Sequence, residues 1–289
     1  MERIRRTTMI PFKQWLNESA KELAKAYSQS LKPIPQDPKH HPEGNVLTHI
    51  KLVRKAIPQA IEYVKDLKTK EPFSTILQDI DIEPSPDQLQ LLKLATWLHD
   101  IGKIPTTKVD NKRHWTEPGP EGKITSYRHE DQEFYQPEID KLIDKTPEDI
   151  KKLYFDNEDT LDFLIQRHMD ATKMSKDNKG LPQKFIDLFK DGKLIPTNNN
   201  KLLLLLIYSD KMGRKPQSQE SIERNNQALI TASQKSKEIT DKTKNTQTLN
   251  NPKDMLQSLK DKKLPLDKIY NILKNKFGLS SQEIDDLNK

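Results

Sequence analysis

Ten consecutive residues, Lys201-Leu-Leu-Leu-Leu-Leu-Ile-Tyr-Ser-Asp210, constrain this chain more than any other segment. A run from Leu202 to Tyr208 that is apolar at nearly every position turns apolar side chains to all sides of a helix, so that helix must be enclosed by other elements. Asp210 ends the run, four residues after Leu206 and seven after Leu203, and so shares their stripe. A carboxylate buried there is costly unless it meets a cation, a donor network or a metal.

The surrounding sequence supplies helices for the enclosure. From Asn45 to Asp210 apolar residues recur at helical spacing and no segment shows sustained strand-like alternation, so the core is expected to be all-α. Leu91, Leu92, Ala95, Leu98 and His99 form one stripe, and Leu161, Leu164, Ile165 and His168 another. Gly102 suits the C-terminus of the helix that precedes it. The stretch from Pro105 to Thr125, rich in Pro, Gly and charge, reads as a lid or substrate loop on which no secondary structure is imposed.

A main domain over residues 41–214 follows from this pattern. Ahead of it, Phe12 to Tyr27 is amphipathic and Lys32-Pro-Ile-Pro-Gln-Asp-Pro38 carries three prolines that stop a helix, so residues 1–40 read as an N-terminal arm. Beyond Arg214 the chain turns polar, with at most one weak helix around Ile222 to Ser233, and residues 215–250 read as a polar linker or solvated helix. Leu266, Ile269, Ile272, Leu273 and Phe277, then Gly278 and a helix start at Ser280-Ser-Gln-Glu283, mark residues 251–289 as a small helical tail. The 289 residues fit one domain with such appendages, and a composition of 33% hydrophobic and 32% charged residues puts the polarity in the tails. No apolar run approaches the roughly 18 to 20 residues of a membrane span, and Met1-Glu-Arg-Ile-Arg-Arg6 lacks the apolar stretch of a secretory signal. No membrane association and a cytoplasmic location are therefore expected. The net charge of +6 is compatible with anionic substrates or nucleic acid, although many lysines are scattered along solvated faces.

There are no cysteines, so any metal must be held by His, Asp or Glu. All seven histidines lie between positions 40 and 168. His49 shares a face with Val46, Ile50 and Val53, His99 follows Ala95 by four residues and His168 follows Ile165 by three, so all three point inward. One such histidine is more often a hydrogen-bonded core residue than a ligand. Several, joined by Asp100 and Asp210, are hard to satisfy together without a metal.

These residues also carry a resemblance. His99-Asp-Ile-Gly-Lys103, preceded by an aliphatic helix and by His49, resembles the doublet that defines the HD superfamily of metal-dependent phosphohydrolases, and the series His49, His99-Asp100, His129, His168, Asp210 is similar to the family pattern in order and spacing. Within the superfamily the chain most resembles the HD domain of bacterial CCA-adding tRNA nucleotidyltransferases. The matching patches are His41-Pro-Glu-Gly-Asn-Val-Leu-Thr-His49, His99 to Lys103, Arg128-His-Glu130, Gln166-Arg-His-Met-Asp170 and Ser209-Asp-Lys-Met-Gly-Arg214. No Gly-rich, double-carboxylate nucleotidyltransferase head precedes residue 41. The Gly-Tyr-Pro element of the cyclic-di-GMP phosphodiesterase branch and the Glu-Asp of guanosine-tetraphosphate hydrolases are also missing.

The resemblance implies a helical bundle holding one or two divalent ions, Mn²⁺, Ni²⁺, Co²⁺, Fe²⁺ or Mg²⁺, that activate water for in-line attack on phosphorus. If Asp100 bridges two ions, His49, His99 and Asp210 complete one site and His129 and His168 the other. Lys103 is a candidate for neutralising a phosphate oxygen, or else a solvated lysine at a helix end. Arg167 and Arg214 are further phosphate candidates. Glu130 either orients a histidine or starts a surface helix. The expected substrates are nucleotide or RNA phosphoesters, in particular 2′,3′-cyclic phosphates and 2′-phosphates. A phosphomonoesterase for small nucleotides and a non-catalytic RNA-binding or scaffold module are the alternatives.

Overall fold

Helix α1 (Val46–Lys68) begins where the Asn45 side chain accepts the Thr48 N–H at 2.9 Å, satisfying one of the free donors of a first turn. The computed structural model describes residues 25, 31, 33–117, 119, 122–173, 181–214, 219–248, 251–261 and 263–287. Along α1, Val46, Ile50, Val53, Ile57, Ala60, Ile61 and Val64 are buried at helical intervals, and His49 lies within that stripe. The one-turn helix α2 (Phe73–Ile76) leads to α3 (Pro86–Leu98), which starts with a capping box between Ser85 and Gln88 and with proline at its first position.

After the doublet come α4 (Lys103–Thr106) and three short strands, β1 (Thr107–Val109), β2 (Arg113–His114) and β3 (Ile124–Ser126). The strands form an antiparallel sheet in the order β2-β1-β3, with Lys108 opposite both His114 and Thr125. The stretch read as a lid or substrate loop, with no secondary structure imposed on it, therefore contains a sheet. Asp110 and Asn111 turn the first hairpin at φ 56° and 59°, a left-handed conformation that these two residue types tolerate best after glycine.

Helices α5 (Gln132–Ile143), α6 (Glu148–Phe155) and α7 (Glu158–Arg167) follow, then a 3-10 turn at Asp170–Lys173 and α8 (Gln183–Ile186). Strands β4 (Phe189–Lys190) and β5 (Lys193–Leu194) form a hairpin. Helix α9 (Asn198–Met212) is capped by Thr197, whose hydroxyl accepts the Asn200 N–H. Every residue from Asn200 to Met212 is buried, and α1, α3, α7 and α10 pack around the helix. The enclosure expected from the leucine run is the centre of the fold, and the architecture is all-α apart from the short strands.

Helix α10 (Gln219–Thr248) departs from expectation. It extends far beyond Ser233, and Ile222, Ala228, Leu229 and Ala232 belong to the same core as α1, α3, α7 and α9. The core therefore continues past residue 214. It also begins before residue 41, because Leu31 and Ile34 are fully buried in it and the Val46 N–H donates to the Ile34 carbonyl. Of the amphipathic stretch Phe12 to Tyr27, all but Lys25 lies outside the described residues. At the C-terminal end, α11 (Pro252–Asp261), α12 (Leu266–Phe277) and α13 (Ser281–Leu287) share a separate core of Met255, Leu256, Leu259, Ile269, Leu273 and Ile284. Ser280 and Glu283 form the expected helix start, and Gly278 ends α12 at φ 70°.

Candidate metal centre

Helix ends deliver most of the polar groups to the middle of the bundle. His99 caps α3 with its N–H on the Ala95 carbonyl, His168 caps α7 in the same way on Leu164, and Asp210 stands in the last turn of α9. The partial negative charge at each of these C-terminal ends favours a cation nearby. His49 comes from the first turn of α1, and His129 from the turn between β3 and α5.

Two glycines set the approach of these elements. A Cβ at Gly102 would lie 2.0 Å from the His129 carbonyl oxygen, and one at Gly213 would lie 2.6 Å from the Cα of Val53. Gly102 is expected to terminate a helix. Its φ is not positive, and it is needed because the backbone carrying His129 packs directly on it.

All six expected ligands are buried and gathered together. His49 Nε2 is 2.9 Å from Asp210 Oδ1 and 3.6 Å from Asp100 Oδ2, and His99 Nε2 is 3.5 Å from the latter oxygen. The other oxygen of Asp100 faces His129 Nε2 at 3.2 Å and His168 Nε2 at 3.9 Å. Asp100 thus stands between two triplets, His49–His99–Asp210 on one side, and its own carboxylate with His129 and His168 on the other.

The opposite ring nitrogens explain this convergence. The Nδ1 atoms of His99, His129 and His168 lie 3.0, 2.8 and 2.6 Å from the carbonyl oxygens of Thr96, Ser126 and Ile165, and that of His49 lies 2.7 Å from Glu43 Oε1. A carbonyl only accepts, so Nδ1 carries the proton there and the neutral ring turns a lone pair on Nε2 inward. His129 and His168 bring their Nε2 atoms within 3.3 Å of each other, and the buried His99 Nε2 has no hydrogen-bond partner. Lone pairs gathered around a central carboxylate are the donor set of a divalent ion bound through nitrogen and oxygen.

Charges around the cluster are arranged in pairs. Lys103 Nζ is 2.8 Å from Asp100 Oδ2, and Lys211 Nζ and Arg214 Nη2 are 2.8 and 3.4 Å from Asp210 Oδ2. Burial would raise the pKa of Asp100, but Lys103 and the neighbouring His99 and His129 outweigh it and hold the carboxyl well below its usual range. Asp210 is likewise held low against burial by Lys211, Arg214 and His49. His49 is raised, because the Asp210 and Glu43 carboxylates overcome its burial. His99 is lowered by burial, and His168 is pushed down to about 3 by burial and by its neighbours His99 and His129. Lys211 falls to about 8 through burial and the adjacent Arg214.

Lys103 is buried against Asp100, so it is not the solvated helix-end lysine of the alternative reading. Arg214 joins the cluster. Arg167 does not: its guanidinium donates to the Lys184 carbonyl, approaches Asp170 at 3.7 Å and lies over the Phe163 ring. Glu130 approaches His129 Nδ1 only to 3.6 Å, and the nearer partner is the Ser126 carbonyl. Three further residues, His41, Glu43 and Lys211, belong to the cluster. Glu43 bridges His41 Nδ1 at 3.0 Å and His49 Nδ1 at 2.7 Å, and Lys211 supplies the closest cation to Asp210. The spacing His41-x-Glu43 just ahead of an inward histidine was the available signal for the first two, whereas nothing in the sequence distinguished Lys211 from a surface lysine.

Compared with protein-family models, with curated proteins and with solved structures, the chain matches none of them.

Proposed function

We propose that this chain is a metal-dependent phosphohydrolase of the HD type, acting on nucleotide or RNA phosphoesters. The observation that carries the reading is the inward set of four histidine Nε2 atoms, each fixed from behind at Nδ1, around the carboxylate of Asp100. His49, His99 and Asp210 would hold one divalent ion and His129 and His168 a second, with Asp100 shared between them; Mn²⁺, Ni²⁺, Co²⁺, Fe²⁺ and Mg²⁺ all suit nitrogen and oxygen donors. When bound, such an ion supplies a Lewis acid and lowers the pKa of water from 15.7 towards about 7.

The protein's own residues then have distinct tasks. Glu43 and the carbonyls of Thr96, Ser126 and Ile165 keep the imidazoles in one tautomer. Lys103, Lys211 and Arg214 balance Asp100, Asp210 and Glu43, so that each divalent ion adds positive charge in excess and favours an anionic phosphoester. Lys103 and Arg214 remain the candidates for contacting its oxygens.

The same charge balance favours one competing reading, in which three cations and three carboxylates form a metal-free polar core of a binding or scaffold module. Metal analysis separates the two. Protein purified with each of the five ions in turn should retain one or two per chain and hydrolyse 2′,3′-cyclic nucleotides or nucleoside monophosphates. Asp100→Ala should lose both properties while keeping its helical circular-dichroism signal. Equal metal content in the wild type and in that variant would reject the assignment.

A further inference from the structure

One end of the sheet β1–β3 is rooted in the candidate metal centre, through the start of β1 and the end of β3. Helix α4, which carries Lys103, runs straight into Thr107 of β1, and Thr107 Oγ1 donates to the Lys103 carbonyl and lies 2.8 Å from Ser126 Oγ. Strand β3 ends at Ser126, whose carbonyl holds His129 Nδ1. The Thr107–Ser126 pair thus abuts the cluster, and the hairpin at Asp110-Asn111 lies at the far end.

Alternation sorts the two faces of this sheet. Thr107, Val109, Ile124 and Ser126 fall on one face, all buried or half-buried, while Lys108 and Thr125 pair across the other. The same period extended by one step beyond each end of β3 puts Lys123 and Tyr127 on that second face. Lys108, Lys123 and Tyr127 are exposed, Tyr127 to 64%, making it one of the few large apolar side chains left in solvent among the described residues. Neither lysine ammonium has a partner among the described residues. The Asp110 carboxylate accepts the Lys123 backbone N–H.

We propose that this face is a platform for the end of a single-stranded nucleic acid. The terminal phosphoester would enter the metal centre, the adjoining base would stack on Tyr127, and the preceding phosphates would run along Lys123 and Lys108. Tyr127 stands two residues before the ligand His129, and Lys123 lies four residues back along the strand, roughly 13 Å at about 3.3 Å per residue. An aromatic next to the reaction centre followed by cations along the backbone path is the pattern by which proteins hold single strands without reading sequence. The proposal rests on the phosphohydrolase reading for its orientation, but its binding does not require turnover.

The test uses full-length protein without added metal and 3′-phosphorylated oligoribonucleotides labelled at the other end, from mono- to hexanucleotide, followed by fluorescence anisotropy. Affinity should rise with length and then level off. Tyr127→Ala should weaken oligonucleotide binding by about five- to a hundredfold, while Tyr127→Phe, which keeps the ring, binds as wild type does. The double variant Lys108→Glu/Lys123→Glu should weaken oligonucleotide binding and flatten its salt dependence. Affinity that ignores length and all these substitutions overturns the proposal, as does binding to anionic phospholipid vesicles in preference to oligonucleotides. Length-dependent, Tyr127-dependent binding without hydrolysis of any phosphoester would uphold the platform and reject the phosphohydrolase reading.

Discussion

Glu43 shows at the scale of one residue how the centre is tuned. It is the only carboxylate among the acceptors behind the four histidines: it accepts from His41 as well as from His49, and its hydrogen bond helps to raise the pKa of His49. Glu43→Gln keeps the shape but removes the charge, and should weaken metal affinity by about 10- to 100-fold, measured by competition with a chelating dye. The histidines also give the metal-free protein a defined acid response. His41 and His168 are each pushed down to about 3, largely by burial, from 6.5. Between those values the unfolded chain binds protons that the folded chain refuses, so their contribution is complete above about pH 6.5 and is lost as the pH falls. His49, raised in the folded state, has the opposite sign, but it stands alone against His41, His99 and His168. The urea midpoint of chelator-treated protein should therefore fall between pH 7 and pH 5; an unchanged midpoint would contradict the buried neutral rings. The six clustered residues were legible in the sequence because five are the His-Asp doublet or extend apolar stripes, and the resemblance supplied His129. Lys211 was not legible: a lysine beside a helix end is ordinarily solvated, and only its place on the enclosed helix α9 buries it.

At the scale of elements, the separation of helices and turns decides whether the ligands meet. Gly213 lets the end of α9 touch the backbone of α1 where Val53 stands, and Gly102 lets the turn after α3 touch the backbone of His129. Alanine at either position meets backbone, which cannot swing aside as a side chain can. Gly213→Ala and Gly102→Ala are each expected to cost about 1–3 kcal/mol in denaturant unfolding and to reduce bound metal. Full stability with full metal content would show that the elements can part without disturbing the site. The long helices were readable from periodicity, and the sheet was not. Its strands are two or three residues long, too short for alternation to register, and they are held by a turn at Asp110-Asn111 and by bonds to α4 that only the fold creates. Helix α10 was hidden for the opposite reason: its polar residues outnumber the narrow stripe of Ile222, Ala228, Leu229 and Ala232 that packs on the core.

Over the whole molecule, that stripe redefines where the chain can be cut. A protein ending at Lys215 loses four buried apolar side chains of the main core, and burial of each large one contributes about 1.5–3 kcal/mol. It should be markedly less stable or fail to fold, whereas one ending at Thr248 should keep the main core and differ only by the separate three-helix unit; thermal melting of both truncations tests this. Saturating metal should raise the melting temperature of any version that retains the main core, by about 2.7 kcal/mol of added stability at a hundred times Kd. The pairing of His49 with Asp210 spans 161 positions of sequence. During synthesis the chain therefore cannot close the His49–His99–Asp210 triplet until α9 has left the ribosome, although Asp100, His129 and His168 have all emerged well before. The two halves of the centre become available in order, and a nascent chain stalled before Asp210 can present only the second of them.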